Sequence, residues 1–358
     1  MDRICLVTFS NNADHQNVVY SMFDALQGKA DVYTIGMKNP KSYIAPHTER
    51  NYYFDCPDRP GIRPKTMRID IVIKMARLVK KLNIRYLYFE SLHVWNLFLM
   101  WMCPQCVLIE AVHDVVPHDL SSVVRLCTKI ICQRADHVIL RNEKYMQLFS
   151  DVYRVPLSRI TCFALWRYFP PEDRCTHSGK FLFFGRIRKY KGLDKLEEFI
   201  KNTPDIAYQV VGKPDEKSKP ALETIRQYNN VELVDHEVTD LEMIRFFHEA
   251  DWVIIPYLSA TQSGVIVDSY KFSRPIIAFN VGAICEQIED GVTGFLIEAE
   301  NEKMFIEAIR KAASMSDEET EQFAHRAYMK GYNMYAAVAA ADSFLEMLTH
   351  LKKVLPGA

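Results

Sequence analysis

The stretch DWVIIPYLSATQSGVIVDSYKFSRPIIAFNVG, residues 251–282, decides how this chain folds. Trp252 to Ile255 is a short apolar run closed by Pro256, the pattern of a strand buried on both faces of a parallel sheet. Leu258 to Gln262 reads as a polar loop at the strand's carboxyl end, and Ser263-Gly264 opens an amphipathic run from Val265 to Phe272. Arg274-Pro275 ends that run, and Ile276 to Phe279 returns as a second buried strand. Strand, loop, small residues and helix start together suit a phosphate, because backbone N–H groups and the helix dipole point at an anion. The reading is an α/β fold with a nucleoside-diphosphate site in this stretch.

Upstream, Phe181 to Phe184 is another buried strand. Gly185-Arg186-Ile187-Arg188-Lys189-Tyr190-Lys191-Gly192 follows it, and Leu193 to Ile200 reads as a helix. Downstream, Asp290-Gly291-Val292-Thr293-Gly294-Phe295-Leu296 is a turn into a strand. Together these stretches resemble the donor-binding core of the retaining GT-B glycosyltransferases, family 4 in particular. The resemblance is strong over most of the carboxyl half and looser over the amino half.

Gly185 to Gly192 is similar to the family's G-R-x4-K-G pattern, so the resemblance implies that Arg186 and Lys191 grip the donor diphosphate. A nucleotide-sugar breaks at its anomeric C–O bond, and negative charge builds on the leaving diphosphate. Fixed cations and aimed N–H groups stabilise that charge without a metal. The plain alternative is a solvated basic turn after a strand. No Asp-x-Asp occurs in the chain, in keeping with a site that needs neither a metal nor another cofactor.

The resemblance implies two Rossmann-like domains facing across a cleft, with the last helix crossing back to the first domain. The expected boundaries are residues 1–170 for the acceptor domain, 178–335 for the nucleotide-sugar domain and 336–358 for the returning helix. Gly185, Gly212, Gln262, Ser263 and the amides of Gly264 and Val265 are the expected donor contacts. Val238 lies in the segment Asp235 to Thr239, which corresponds to the part of the family beside the nucleobase. Asp240 is expected to cap the helix that follows.

One departure stands out. Most family members carry Glu-x7-Glu here, with a glycine three residues after the first glutamate. Aligning that glycine with Gly264 puts Thr261 and Ser269 where the two carboxylates would stand. Asp268 is the nearest acid, one residue early, which on a helix is a rotation of about 100°. It is either the ribose ligand or a surface carboxylate.

In the amino half, Ile4 to Phe9 reads as a strand and His15 to Leu26 as a helix, joined by a loop containing Asn11 and Asn12. Many relatives have glycines in that loop; asparagine tolerates left-handed backbone, so a tight turn with ligand contact and a plain helix cap are both open. Val107 to Val112 is a strand ending at His113-Asp114. The resemblance makes His113 the histidine that contacts the transferred sugar and Asp114 its neighbour, against a histidine held only by local hydrogen bonds. Lys38 to Pro64 is irregular. Arg63 to Arg85 carries eight basic residues and one acid, with a stripe of Ile69, Val72, Ile73, Ala76, Val79 and Leu82. It is a helix packed on the sheet, or one resting on anionic lipid.

The 358 residues are 49% hydrophobic and 25% charged, enough for two domains with their own cores. Net charge is −1, but residues 1–177 hold 23 Lys and Arg against 17 acids, which places any anionic partner on the amino half. Nine scattered cysteines do not read as a disulfide framework and suggest a reducing cytoplasm. Cys103 and Cys106 form a lone C-x-x-C among apolar residues, either a redox or zinc half-site or a pair of buried thiols. No run approaches the ~20 apolar residues of a membrane span, so the expected place is the cytoplasm, with peripheral contact at the membrane's inner face. The expected activity is retaining transfer of a sugar from a UDP- or GDP-type donor to a saccharide or lipid-linked acceptor, in polysaccharide or glycoconjugate synthesis. The rival is a non-catalytic nucleotide-sugar-binding partner subunit.

Overall fold

The short apolar runs pair as their two-sided burial demands: every strand pairing among the described residues is parallel, in two sheets. The computed structural model describes residues 2–355 apart from 43, 58–59, 62, 64, 114, 116–121, 173–176 and 261–262, with the backbone alone at 122–124. The chain divides into two units, Met1–Tyr168 with Met334–Ala358, and Phe169–Asn333.

In the first unit β1 (Arg3–Val7) leads to α1 (Ala13–Ala25), β2 (Asp31–Met37) and β3 (Asn51–Phe54). Then come α2 (Ile69–Lys81), β4 (Tyr86–Glu90), α3 (Val94–Met102) and β5 (Val107–Val112). The series ends with α4 (Ser122–Arg134), β6 (His137–Leu140), α5 (Met146–Tyr153) and β7 (Ile160–Cys162). The sheet order is β3-β2-β1-β4-β5-β6-β7, so the direction of winding reverses between β1 and β4. That is where an open parallel sheet leaves a crevice at its carboxyl edge. Helices α2 to α5 cover one face around Trp95, Leu99, Phe149 and Tyr153, and α1 covers the other around Val18, Met22 and Phe23.

The second unit runs β8 (Lys180–Phe184), α6 (Leu193–Asn202), β9 (Ala207–Val211), α7 (Lys219–Ile225) and β10 (Val231–Val234). It continues with α8 (Asp240–Glu249), β11 (Trp252–Ile255), α9 (Gly264–Lys271), β12 (Ile276–Asn280) and α10 (Ile284–Gln287). β13 (Gly294–Glu298) and α11 (Glu302–Ala313) close it, and α12 (Asp317–Tyr335) follows. The order is β10-β9-β8-β11-β12-β13, with its reversal between β8 and β11. Arg274, fully buried, donates from Nε to Phe247 O at 2.7 Å and from Nη2 to His248 O at 3.2 Å, satisfying carbonyls at the end of α8.

Two local expectations need correction, the irregular reading of Lys38 to Pro64 and the cap at Asp240. The end of the chain is helical in two pieces: α12 stops and α13 (Ala337–Val354) starts at Ala336, whose ψ of 126° is extended. There Arg167 N–H donates to Tyr335 O and Ala337 N–H to Arg167 O, at 2.7 and 2.9 Å. α13 packs on α1 through Ala337, Ala341, Phe344 and Leu348. The segment Lys38 to Pro64, read as irregular, contributes the edge strand β3. Thr239, not Asp240, caps α8: its hydroxyl accepts from Glu242 N–H while the Glu242 carboxylate accepts from Thr239 N–H. The cap at Asn12 has φ −88°, so the first loop turns without left-handed asparagines.

Most of the stripe on the basic segment is spent on packing. Ile71, Val72, Met75, Ala76 and Val79 of α2 are buried in the core, Ile73 and Leu82 are half-buried, and Ile69, Asp70, Lys74, Arg77, Lys80 and Lys81 are exposed. Cys103 and Cys106 are buried free thiols, pushed by burial to about 11 and about 12, the unreactive alternative. Among the described residues no helix is long and apolar enough to cross a membrane.

Candidate functional site

The carboxyl ends of β8 and β11, at the second unit's point of reversal, are tied together by backbone contact. Gly192 has φ +74°, and a Cβ there would stand 1.9 Å from Pro256 O, so only glycine lets the loop after β8 lie against the end of β11. Leu258 N–H then donates to Tyr190 O at 2.8 Å. A short 3-10 turn, Lys189–Lys191, sits over this junction and turns Lys191 inward.

Lys191 is 7% exposed, and its Nζ lies 5.1 Å from the centre of the Tyr257 ring. Among the described residues no carboxylate pairs with it. A Cβ on Gly185, where φ is +102°, would lie 2.8 Å from that Nζ and 3.4 Å from Val265 Cγ2. A Cβ on Gly212 would stand 2.1 Å from Gly185 O, which packs the loop after β9 beneath the same spot. The fold thus gathers Gly185, Lys191, Gly212 and Val265, four of the residues that the sequence singled out. Arg186 is exposed at the carboxyl end of β8, without an ion pair among the described residues.

Helix α9 begins beside this group. Ser263 precedes it without a side-chain cap, and the N–H groups of Gly264, Val265 and Ile266 have no carbonyl one turn back to receive them. Ser263 itself is committed elsewhere: its N–H donates to Gln287 Oε1 at 2.8 Å, and Gln287 Nε2 donates to Ser263 O at 3.3 Å. The amide of Ser263 is therefore committed to Gln287 at the helix start. Gln287, 24 residues away, carried no spacing signal in the sequence.

The half-buried residues of α9 are Gly264, Val265 and Asp268, so Asp268 shares the face of the uncapped amides one turn on. Ser269, where a family carboxylate would stand, is fully buried and donates its hydroxyl to Val265 O at 2.7 Å. Thr261 and Gln262 lie outside the described residues. Val238 is half-buried in the loop after β10, two strands from β8, and is not gathered with the rest. Among the described residues no group of three or more His, Cys, Asp or Glu side chains is arranged to hold a metal ion.

In the first unit a second polar cluster forms at the carboxyl ends of β4, β5 and β6. Glu90, at the end of β4, is buried and accepts from Arg141 Nη2 at 2.8 Å, from the Tyr88 hydroxyl and from His113 Nε2. Burial alone would raise the Glu90 carboxyl; the Arg141 guanidinium and His113, with hydrogen bonds from His113 and Tyr88, hold it down to about 2. An ionised carboxylate only accepts, so His113 carries its proton on Nε2. The His113 ring lies 4.6 Å, centre to centre, from His15, whose Nδ1 is 2.8 Å from Ser10 Oγ. Burial, and then His113, lower His15 to about 4, so it is neutral at pH 7.

Asn12 Oδ1 accepts from Asp14 N–H at 3.1 Å, the role of a helix cap, and Asn11 is half-buried in the same loop. Asp114 lies outside the described residues. Sequence reading missed Glu90, Arg141 and His15. The signal was available at strand ends: YLYFE closes on an acid, and Arg141 follows HVIL.

Two Rossmann-like units of this kind define a class: the chain has the GT-B fold. Residues 178–315 match the family model described as glycosyl transferases group 1. The D-inositol 3-phosphate glycosyltransferase of Mycobacterium sp. (strain KMS) is 28% identical over 122 residues, 32% of this chain and 28% of the relative. The lipopolysaccharide 1,2-N-acetylglucosaminetransferase of Salmonella typhimurium is 26% identical over 181 residues, 47% of each chain. The chain spans about a third or less of the length of the first curated relatives that it matches. Among solved structures, Anabaena Alr3699/HepE in complex with UDP and glucose superposes with a TM-score of 0.75 at 14% identity, covering 98% of this chain and all of that one.

Proposed function

We propose that the protein transfers a glycosyl group from a nucleoside-diphosphate sugar to a saccharide or lipid-linked acceptor. The observation that carries this reading is Lys191, a buried cation without an anionic partner among the described residues, beside the uncapped start of α9. A buried ammonium is costly unless something negative meets it. A diphosphate supplies that charge and accepts the Gly264 and Val265 amides as well.

In this reading Lys191, Arg186 and the α9 amides stabilise the charge that develops on the diphosphate as the anomeric C–O bond breaks. No metal is required, because the cations and the helix end supply the positive charge. The reaction is retaining: the acceptor oxygen attacks from the face the diphosphate leaves, and a donor phosphate oxygen takes the acceptor's proton. His113, held by Glu90 with Nε2 protonated, positions the sugar. Asp268 is assigned to the ribose hydroxyls, Val238 to the base, and Asp114 and Asn11 to the sugar side. The product belongs to a polysaccharide or glycoconjugate, made in the cytoplasm. UDP is the first nucleotide to test, since the Anabaena protein was solved with it.

The test is release of nucleoside diphosphate from a panel of UDP-, GDP- and ADP-sugars. Arg186→Ala should lower turnover on the order of a hundredfold, as loss of one transition-state donor does, with thermal unfolding unchanged because Arg186 is exposed. Full turnover in that variant refutes its role.

A second reading, a non-catalytic nucleotide-sugar-binding subunit, is favoured by Ser269, which is buried and bonded to backbone where relatives place a carboxylate. Tight nucleotide binding with no turnover on any donor would select it.

A further inference from the structure

Helices α3, α4 and α5 lie side by side on one face of the first sheet, and each turns large apolar side chains away from the core as well as into it. Trp101 at the end of α3 is 55% exposed, and Leu126 on α4 is 58% exposed. Ile130 lies one turn beyond Leu126, and Leu148 and Val152 are one turn apart on α5, all three exposed. Such a face is unusual for a surface that meets only water.

The charge on this layer is mostly basic where it borders the apolar residues. The outer face of α4 reads Arg125-Leu126 and Lys129-Ile130, with no acid in the helix. α2 packs on α3 and presents Lys74, Arg77, Lys80 and Lys81 outward; its one acid, Asp70, is paired with Arg68 at 2.9 Å. Lys80 acts electrostatically on Cys103, two residues past Trp101. The acids on this side are Glu143, exposed in the 3-10 turn before α5, and Asp151 on α5, which accepts from Gln147 at 3.0 Å.

We propose that the outer face of α3, α4 and α5, flanked by the α2 cations, docks on an anionic lipid surface. Aliphatic side chains and an indole beside unpaired cations are the chemistry of a protein lying at a membrane interface: the apolar groups enter the headgroup boundary, and lysine and arginine meet anionic lipid. Val72, Ala76 and Val79 of the α2 stripe take no part, being buried in the core. This surface belongs to the first unit, and its proposed role stands whether or not the chain is a transferase.

The experiment is co-sedimentation of the full chain with phosphatidylcholine vesicles, with and without phosphatidylglycerol, at low and high salt. Binding is expected only with phosphatidylglycerol, and it weakens as salt rises. Arg125→Gln with Lys129→Gln should lower the partition coefficient about 25-fold, at about fivefold per charge removed. Trp101→Ser should lower it about tenfold. Trp101 and Arg125 are exposed and Lys129 is half-buried, and circular dichroism and melting temperature should stay close to the parent. Absence of binding to anionic vesicles at low salt, equal binding to neutral ones, or unchanged partition in both variants would overturn the proposal. So would self-association of the parent chain that Trp101→Ser abolishes without any vesicle binding, since the face would then meet a second copy. Donor turnover is measured separately, so failure of the transfer reading cannot imitate any of these results.

Discussion

Replacing Lys191 with methionine separates a lysine kept for a ligand from a lysine kept for the fold. Its ammonium end lies over Gly185, and methionine, of similar length, keeps most of the side chain's volume. What is lost in the free protein is the attraction of the ammonium for the Tyr257 ring at 5.1 Å, about 0.5–2 kcal/mol. What is gained is relief from holding a charge in a site 7% exposed, several kcal/mol for a fully desolvated ion and less here. The two nearly cancel or favour methionine, so the unliganded variant should melt within a few degrees of the parent, or higher. UDP binding should move the other way. Loss of a charge-assisted hydrogen bond to phosphate is worth about 1.5–3 kcal/mol, or roughly 10- to 150-fold in Kd. Calorimetric titration with UDP and thermal melts with and without it supply both numbers. A variant that melts many degrees lower while binding UDP as before would make Lys191 a structural pillar and refute the reasoning.

Glu90→Gln removes the charge that balances Arg141, which is buried with no exposed side-chain surface, so unfolding free energy should fall on the order of 3 kcal/mol; urea titration measures it. The same change releases the preference for a proton on Nε2 of His113, visible as a change in its ring nitrogen shifts, and an unchanged tautomer would mean that Glu90 does not orient the ring. Acid should destabilise the protein in two stages. Burial lowers His15, His93 and His137 to about 4, so between pH 6.5 and 4 the unfolded chain binds more protons than the folded one. Stability should then drop on the order of 1 kcal/mol per pH unit for each histidine. Glu90, held at about 2, stabilises the fold above its unfolded value near 4.5, and that contribution is lost as pH falls from there towards 2. Flat stability between pH 6.5 and 4.5 would contradict the burial of the histidines.

What was legible in the sequence is what short-range pattern encodes. Trp252 to Ile255 and Phe181 to Phe184 are apolar at every position, and only a strand covered on both faces uses such a run. The glycines at 185 and 192 could be read because both take positive φ and leave no room for a side chain, against Lys191 Nζ at one and Pro256 O at the other, a constraint that a local motif records. β3 was not legible: NYYF is four residues at a sheet edge, inside a proline-bearing segment, and its pairing with β2 is decided by partners that no window contains. Nor was Glu90, whose partners Arg141 and His113 come from the ends of two other strands, 51 and 23 residues away. Parallel sheets create such clusters systematically, because each crossover returns the chain to the same edge and sets distant strand ends side by side.

The missing carboxylates show where motif and geometry part. Counting from Gly264 makes Ser269 the heir of the second glutamate, yet the helix turns Ser269 into the core and bonds its hydroxyl to Val265 O. A residue so placed cannot reach a ligand whatever its chemistry. The shift of one position that seemed to disqualify Asp268 is what puts it on the half-buried face with Gly264 and Val265. Register on a helix is fixed by which side chains the sheet must bury, here Ile266, Val267 and Tyr270, and not by distance from a glycine. A carboxylate can therefore move by one position in the sequence and still stand on the ligand side, provided that the buried set moves with it.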